Sequence, residues 1–551
     1  SRLVALQSQN GAVNLSADGD IGADGNPLRL SAAGAVSADA GGDVHLGAVA
    51  TVPAPNLRTD LRIGHIDAGG DVSVSAEQGN LTVDGAIRSA GTLALKADGT
   101  LSQAAADFTA PGNITVEAGR YVMADGALLR SDSGAIAIDA DGDVVVGRIE
   151  ATQNATANAL RITTTGRILD GGDLGTYDLV AATPGAGVTL DAAGGVGNAS
   201  WNNGSPRAVP DALETDIAKI DAISTAGGVH LDERDGIEVG RIEVQQDAWL
   251  RAGGDIAGGN VRAERGNIDL LSGGKVTVVD ATAVAGSTTV LAEGDILMDA
   301  VTAGNGVTLE SAQGSVSVSR ITGDILSLSA KNDLNLGTLS VGRSLFFNSE
   351  AVTARIVHTR NDAPLAMRAV GRQGAPARWV DLTIDSPVGV RFDRFNVLDA
   401  EVTMENGSLR IDQGRVENRA NFYNPVTHVY MDNTSTVVLP ADVQLHHPGK
   451  TFGNMLLDQW KLVTDPYVVM RDPLHEVVMN TVLDYSGREQ SRELIVTRVN
   501  TPDKQSAGGQ IPQIAAISIN VPVDIPAVNS GDDESEEEAE ARRRAEEENV
   551  Q

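Results

Sequence analysis

Aliphatic and small polar residues alternate in short runs along the first 345 residues of this chain. Val72-Ser73-Val74-Ser75 and Ile325-Leu326-Ser327-Leu328-Ser329 are typical. A period of two is that of a β-strand with one buried face, whereas an amphipathic helix repeats its apolar positions every three or four residues. The pattern therefore predicts many short strands and no helical segments between them.

Each run opens with a glycine, a polar residue and an aliphatic residue. Examples are Gly42-Asp43-Val44, Gly70-Asp71-Val72, Gly254-Asp255-Ile256 and Gly294-Asp295-Ile296, with looser copies between them. Glycine and Asp or Asn adopt the backbone conformations that sharp corners need. The repeating unit is therefore interpreted as strand, corner, strand.

A single unit of this kind cannot bury its aliphatic face, and stacking the units solves the problem. Parallel strands of successive coils pair at about 4.8 Å, so that like aliphatic residues form ladders inside the stack. With roughly 20 residues per coil, 345 residues predict about 17 coils and a rod on the order of 80 Å long. The predicted fold class is all-β, a parallel β-helix or β-solenoid.

Changes in composition divide the chain into four predicted segments. Residues 1–345 form the repeat rod, and residues 346–500 form an irregular β region, richer in aromatic residues, that caps or ends the solenoid. Residues 501–531 form a proline-containing linker. Residues 532–551 form an acidic tail that is either disordered or a solvated helix.

Charge and composition exclude several classes of partner and site. The formal net charge is −32, so the surface should repel nucleic acid and anionic lipid. There is no cysteine, which excludes disulfides and thiolate metal sites. No apolar run is long enough to cross a membrane, and Ser1–Asn10 lacks the order of a signal peptide. We expect no membrane insertion, and we expect a piece of a longer precursor.

Parallel β-helices also carry polysaccharide-cleaving enzymes, whose sites cluster carboxylates with histidine, arginine or lysine on an exposed strand face. In this sequence His65 stands alone, and Asp232-Glu233-Arg234-Asp235 is interpreted as a charged corner. His446-His447 lacks the further spaced ligands of a metal site. The expectation is therefore no catalytic residues, no metal site and no cofactor. The Asp of the Gly-Asp repeats is expected to bond the corner backbone.

Two regions are candidates for ligand binding. The longest interruption of the repeat, Asn198–Ala218, carries Trp201 and is predicted to be an outward loop, and its sequon at Asn203 is a candidate glycosylation site. The second region is a set of aromatic residues that either stack on sugar rings or fill a core. This set comprises Trp379, Phe392, Phe395, Tyr423, Tyr430 and Trp460.

The degenerate Gly-Asp-Ile repeats of about 20 residues, rich in Val, Leu, Ser, Thr, Ala and Gly, resemble those of filamentous haemagglutinin-like exoproteins. These are two-partner-secreted adhesins of Gram-negative bacteria. The resemblance covers about residues 1–345, and it implies that this chain is the carboxy-terminal part of such an exoprotein. It implies a right-handed parallel β-helix and export to the outer cell surface or the medium. It also implies an outer-membrane transporter as the partner in secretion.

The resulting functional expectation is a non-catalytic fibrous adhesin. It would attach to host cells, matrix polysaccharide or other bacteria through a glycan or receptor, with self-association as a further expectation. Two alternatives remain: the stalk of a contact-dependent toxin-delivery exoprotein, and a β-helix polysaccharide lyase.

Overall fold

The chain stacks its strands as a parallel β-solenoid. The computed structural model describes residues 5–48, 59–172, 177–197 and 212–406, and further strands between residues 409 and 522. The described residues form about 19 turns with almost no helix, which confirms the predicted fold class. A 3-10 turn at Arg372–Gly374 is the helical element of this part of the chain. The handedness remains a prediction from the resemblance.

The strands of the first half of the described chain are short and follow one another at close intervals. They are β1 (Leu6–Ser8), β2 (Val13–Ala17), β3 (Leu28–Ala32), β4 (Val36–Ala40), β5 (Val44–Ala48), β6 (Leu61–Ala68), β7 (Val72–Ala76), β8 (Leu81–Val83), β9 (Ile87–Ser89), β10 (Leu93–Gln103), β11 (Asp107–Ala110), β12 (Ile114–Met123), β13 (Leu128–Ser131), β14 (Ile136–Ala140), β15 (Val144–Val146), β16 (Arg148–Ala151), β17 (Leu160–Thr164), β18 (Arg167–Asp170), β19 (Leu179–Ala181), β20 (Gly187–Ala192), β21 (Gly195–Val196), β22 (Leu213–Ile217), β23 (Lys219–Ser224) and β24 (Val229–Glu233).

The later strands vary more in length than the earlier ones, and the longest three span 15 to 17 residues. They are β25 (Ile237–Val244), β26 (Ala248–Ala252), β27 (Ile256–Ala263), β28 (Ile268–Ser272), β29 (Val276–Ala283), β30 (Thr288–Ala292), β31 (Ile296–Ala303), β32 (Gly306–Ser311), β33 (Val316–Ala330), β34 (Asp333–Asn348), β35 (Ala351–His358), β36 (Leu365–Val370), β37 (Ala377–Asp385), β38 (Val390–Asn406), β39 (Leu409–Ile411), β40 (Gly414–Tyr423), β41 (Val429–Met431), β42 (Val437–Val438), β43 (Val443–His446), β44 (Trp460–Leu462), β45 (Val468–Asp472), β46 (His475–Val482), β47 (Ser491–Asn500) and β48 (Ser518–Pro522).

The most regular coils lie between β26 and β31. Leu250 of β26 pairs in parallel with Leu270 of β28, which pairs with Val290 of β30, so each coil takes 20 residues here. All three side chains are buried, whereas the residues that follow them, Arg251, Leu271 and Leu291, are exposed or half-buried. The aliphatic ladder inside the solenoid is therefore the core, as the alternating pattern predicts.

Aspartate side chains tie the corners of successive coils together. Asp43 donates its backbone N–H to Oδ1 of Asp20 at 2.9 Å, and Asp71 donates to Oδ1 of Asp43 at 2.8 Å. Thr92 continues the ladder by donating to Oδ1 of Asp71 at 2.6 Å. The same bond recurs from Lys275 to Asp255. The expectation that Asp bonds the corner backbone is confirmed, and the bonded backbone belongs to the next coil.

This ladder also explains the glycine that precedes each aspartate. A Cβ built on Gly70 would overlap Oδ1 of Asp43, and one built on Gly42 would overlap Oδ1 of Asp20. The carboxylate of one coil thus occupies the space in which the next coil would place a side chain. The two residues of each Gly-Asp pair therefore act together. The aspartate accepts a hydrogen bond from the next coil, and the glycine leaves space for the aspartate of the previous coil.

The prediction that Asn198–Ala218 forms an outward loop was wrong for the carboxy-terminal end of this segment. Leu213–Ile217 is strand β22 of the stack, in parallel register with β24. Both ends of β22 are buried because they fill the interior ladder, Leu213 beside Leu231 and Ile217 beside Ala181. Residues 198–211 lie outside the described part of the chain.

Strand direction changes near the carboxy-terminal end of the described chain. β43 pairs in parallel with β45, whereas β45 pairs antiparallel with β46, β46 with β47, and β47 with β48. Strand β48 falls in the segment interpreted as a linker, and the acidic tail lies outside the described residues. The four-segment division stays a prediction. None of the described helical residues forms a span long and apolar enough to cross a membrane.

We predict that Gly70→Ala destabilises the solenoid by about 1–3 kcal/mol, because its Cβ must displace the Asp43 carboxylate. Urea unfolding followed by circular dichroism measures the effect. Gly19→Ala is the matched control, since nothing lies within 4 Å of a Cβ built there. Adding Asp43→Ala should recover part of the loss, and an additive double variant would contradict the proposed contact.

Candidate functional site

The structure describes the side chains of three of the seven predicted ligand-binding aromatics: Trp379, Phe392 and Phe395. Trp379 lies half-buried on β37, in register with Ala351 and Asp399. Tyr423, Tyr430 and Trp460 lie on β40, β41 and β44, where the structure describes the strands but not these side chains. Trp201 and Asn203 lie outside the described residues. Their role in binding or glycosylation stays a prediction.

Two other aromatic residues of that set belong to the core. Phe392 and Phe395 are fully buried, and their rings meet edge to face with centroids 4.8 Å apart. For these two residues the interpretation as a sugar-binding surface was wrong, and the interpretation as core was right. Both side chains point inward because β38 continues the interior ladder of β36.

A long depression, here called the axial trough, runs along one corner of the solenoid. Its floor is a column of small residues in parallel register on successive coils: Ala97, Ala118, Ala140 and Thr164. The trough has a volume of about 660 Å³ and extends to Thr225 on the following coil. Small side chains at the same corner of six coils thus leave a continuous hollow parallel to the axis.

One wall of the axial trough is an outward-facing column of polar residues. Lys96, Glu117, Asp139, Thr163 and Asp191 follow one another in register. The Lys96 ammonium lies 2.5 Å from the Glu117 carboxylate, and this hydrogen bond raises the pKa of Lys96. This wall is therefore charged, hydrogen-bonding and held in place by the strands beneath it.

The opposite wall consists of corner residues, of which Asp98, Asp141 and Thr165 are exposed. A second hollow of about 350 Å³ shares Asp98 and Gly119 with the trough and continues past Asn80. The trough is acidic on both walls. Its shape suits an extended, polar ligand that lies along the axis.

A second feature is a group of carboxylates on β18, β19, β22 and β24, here called the acidic cluster. It contains two sets of three side chains whose oxygens lie within 4.8 Å of one another. The sets are Asp170, Asp178 and Glu214, and Asp216, Glu233 and Asp235. These residues lie far apart in the sequence, and the stacking of coils of unequal length brings them together.

Glu233 is one of two fully buried members of the acidic cluster, with 2% of the residue exposed, and Asp178 is the other at 0%. Glu233 accepts a hydrogen bond from the Thr215 hydroxyl at 2.7 Å and another from the backbone N–H of Ile217. Burial raises the pKa of Glu233 to about 7. The interpretation of residues 232–235 as a charged corner was wrong for Glu233, which ends β24 and points into the solenoid.

Arg234 and Tyr177 cover the acidic cluster from outside. Arg234 Nη1 lies 2.7 Å from Oδ2 of Asp216, and its guanidinium lies 5.6 Å from the centroid of the Tyr177 ring. Both hydrogen bonding to Asp216 and its negative charge raise the pKa of Arg234. Because Asp216 is committed to Arg234, a metal ion bound by this set would have to displace an ion pair.

The other set of the cluster is closer to the arrangement of an acid and base pair. The backbone N–H of Glu214 donates to Oδ2 of Asp178 at 2.9 Å. Burial, followed by the charge of Asp170, raises the pKa of Glu214. A protonated carboxyl beside an ionised one can serve proton transfer to a sugar oxygen, or both can ligate a cation. No sequence motif signals this set, since Asp170 and Asp178 lie on one coil and Glu214 lies on the next.

Comparisons with known proteins support a repeat protein and go no further. A family model described as repeats of unknown function (DUF5649) matches residues 54–128. That stretch includes the coils that carry Ala76, Ala97 and Ala118, at the start of the axial trough. No curated protein and no solved structure matches the chain significantly.

We predict that Glu233→Gln makes the protein more stable relative to the native chain at pH 8 than at pH 5. The folded-state pKa of about 7 exceeds the ordinary value of 4.5, so the folded protein binds the proton more tightly. Native stability therefore falls as pH rises from about 4.5 through about 7, by roughly 3 kcal/mol at most. The glutamine variant lacks this loss.

Urea unfolding at both pH values measures the difference between the variants. Glu310→Gln is the matched control, because Glu310 is exposed on β32. If Glu233→Gln and Glu310→Gln gave the same change with pH, Glu233 would not carry the buried proton.

Proposed function

We propose that this chain is a non-catalytic, fibrous adhesin, exported to the outer cell surface or the medium of a Gram-negative bacterium. The observation that carries the proposal is the axial trough, a continuous binding surface that spans six coils of a rigid stack. A solenoid holds its outward side chains at the coil spacing of about 4.8 Å, so it can match a ligand that is itself periodic. Matrix and host glycans are periodic ligands of this kind.

The acidity of the chain argues against nucleic-acid binding. The sequence resemblance to two-partner-secreted exoproteins supports export through an outer-membrane transporter. The rod also suits projection of the trough away from a cell. Attachment to host cells, to matrix polysaccharide or to other bacteria remains open within this proposal.

We predict that filling the trough abolishes glycan attachment. Thr165 is exposed in the middle of the trough, so Thr165→Trp would occupy its width. Thr277→Trp is the matched control, because Thr277 is exposed on β29, outside the trough. Beads that carry each form of the full chain are applied to a glycan and matrix-component array. The native chain and the control should bind the same spots, and the filled variant should lose about tenfold or more in affinity.

A variant in which a short Gly/Ser linker replaces residues 198–211 tests whether glycans bind to the trough or to the predicted loop. Retained binding in that variant, with loss in Thr165→Trp, supports the trough. Loss only in the linker variant would move the binding surface to the loop. If the native chain bound no component of the array, the adhesin proposal would fail.

The acidic cluster favours a second candidate, a β-helix enzyme that cleaves polysaccharide. Its supporting observation is the raised pKa of Glu214 beside the carboxyl group of Asp178, since glycoside cleavage uses a pair of carboxyl groups of which one donates a proton. Against it, the Arg234–Asp216 ion pair and the buried Glu233 occupy the adjoining carboxylates. We therefore place this function second.

We predict that the native chain releases neither reducing ends nor unsaturated uronates from a panel of neutral and acidic polysaccharides. Reducing-sugar and ultraviolet absorbance assays measure this directly. Release that disappears in Glu214→Gln but persists in the control Glu310→Gln would overturn the non-catalytic proposal and establish the second candidate.

A further inference from the structure

We propose that the axial trough binds a linear glycan that carries protonated amino groups, such as a partly deacetylated hexosamine polymer. This inference rests on the adhesin function proposed above and names the class of its ligand. It follows from the length of the trough, the distribution of its charges and the absence of apolar anchors among its described residues.

The trough is the right shape for an extended chain. It crosses six coils, from the coil of Ala97 to that of Thr225, which amounts to about 24 Å at the ordinary coil spacing. Its floor of alanine and threonine is in strict parallel register, so its depth is maintained along this length. A compact ligand would use one coil, whereas a linear polymer can contact all six.

Five carboxylates line the trough, and two of them are already neutralised. Lys96 lies 2.5 Å from Glu117, and Arg161 lies 3.0 Å from Asp139 while also donating to the Thr163 hydroxyl. These two ion pairs fix the wall and leave its charge balanced at those coils.

The other three carboxylates give the trough its net charge. Within the described part of the chain, no lysine or arginine forms an ion pair with Asp98, Asp141 or Asp191, and all three are exposed. Asp98 and Asp141 stand on the corner wall, and Asp191 stands on the strand wall.

These three aspartates fall on alternate coils. Successive members are therefore separated by two coil spacings, about 10 Å along the axis. An extended sugar chain with a two-fold screw turns the same face to one side at every second residue, so ammonium groups on that face would recur with a period similar to that of Asp98 and Asp141 on the corner wall. Asp191 faces the ligand from the strand wall across the trough. The threonine hydroxyls between the aspartates, Thr163 and Thr165, can bond the sugar hydroxyls.

The same charges exclude anionic glycans. Uronate or sulfate groups would meet Asp141 and Asp191, which form no ion pair among the described residues, and Asp98, whose charge is only partly offset by Lys96 and by Arg120 in the adjoining hollow. The chain as a whole carries a net charge of −32. A neutral glycan would gain hydrogen bonds but no ion pairs. The amino glycan gains both.

A basic peptide fits the trough less well. Peptides that bind β-structure pair with a free strand edge, and the strands beneath the trough are paired with coils on both sides. Peptides that bind elsewhere rely on apolar anchors in pockets, and the floor of the trough offers only small side chains. The carboxylate and hydroxyl lining matches amino sugars better.

Isothermal titration of the full chain tests the inference with three oligosaccharides of equal length. These are a fully deacetylated glucosamine oligomer, the N-acetylated oligomer and an oligogalacturonate. The deacetylated oligomer should bind about tenfold more tightly than the N-acetylated one, with an advantage that falls as salt rises. The oligogalacturonate should not bind. Equal binding of the first two would overturn the inference.

Two triple variants with the same change in charge distinguish binding by the trough aspartates from attraction to the overall negative charge of the chain. Asp98→Asn, Asp141→Asn and Asp191→Asn combined should weaken binding of the deacetylated oligomer by about tenfold. Asp280→Asn, Asp299→Asn and Asp381→Asn combined remove the same charge outside the trough and should leave the affinity unchanged. Equal losses of affinity in the two triple variants would overturn the inference. It would also be overturned if a lysine oligomer bound the native chain as tightly as the deacetylated oligomer and lost as much affinity in the first triple variant.

These outcomes are distinguishable from failure of the adhesin proposal. If the native chain binds other glycans on the array and loses them in Thr165→Trp, but ignores the deacetylated oligomer, only the ligand class is wrong. If no glycan binds at all, the proposed function itself fails.

Discussion

Parallel pairing of each coil with the coil below is the interaction on which everything else depends. It satisfies the strand backbones, aligns the aliphatic ladder inside and sets one repeat distance for every outward side chain. The Asp43 carboxylate adds a bond at the corner, where strand pairing ends, by accepting the backbone N–H of Asp71. Glycine at position 70 is required by the same carboxylate.

The candidate sites arise from two different consequences of stacking. Where coils have similar composition at one corner, a column of small residues such as Ala97, Ala118 and Ala140 forms a trough. Where coil length varies, as between Val188 and its partner Ile220, residues from distant positions meet. Coils with matching corner residues thus form the extended trough, and coils of unequal length form the acidic cluster.

Much of the fold was accessible from the sequence because the decisive signals are local. Alternation in Val72-Ser73-Val74-Ser75 indicates a strand, and a corner signal such as Gly70-Asp71 indicates where it begins. The boundary of the long loop was not accessible in the same way. Leu213 and Ile217 look like loop residues in the sequence, but pairing of Leu213 with β24 and of Ile217 with β19 places both in the core.

The sequence by itself determined that the chain is a stack of short strands, since strand period and corner chemistry are properties of neighbouring residues. Only the tertiary structure decided which side chains share a surface, because register between coils is a long-range property. Asp98, Asp141 and Asp191 are unrelated in the sequence and line one trough in the fold. Glu233 looks like a corner residue in the sequence, yet its neighbours Thr215 and Ile217 come from another coil and hold its carboxyl inside the solenoid.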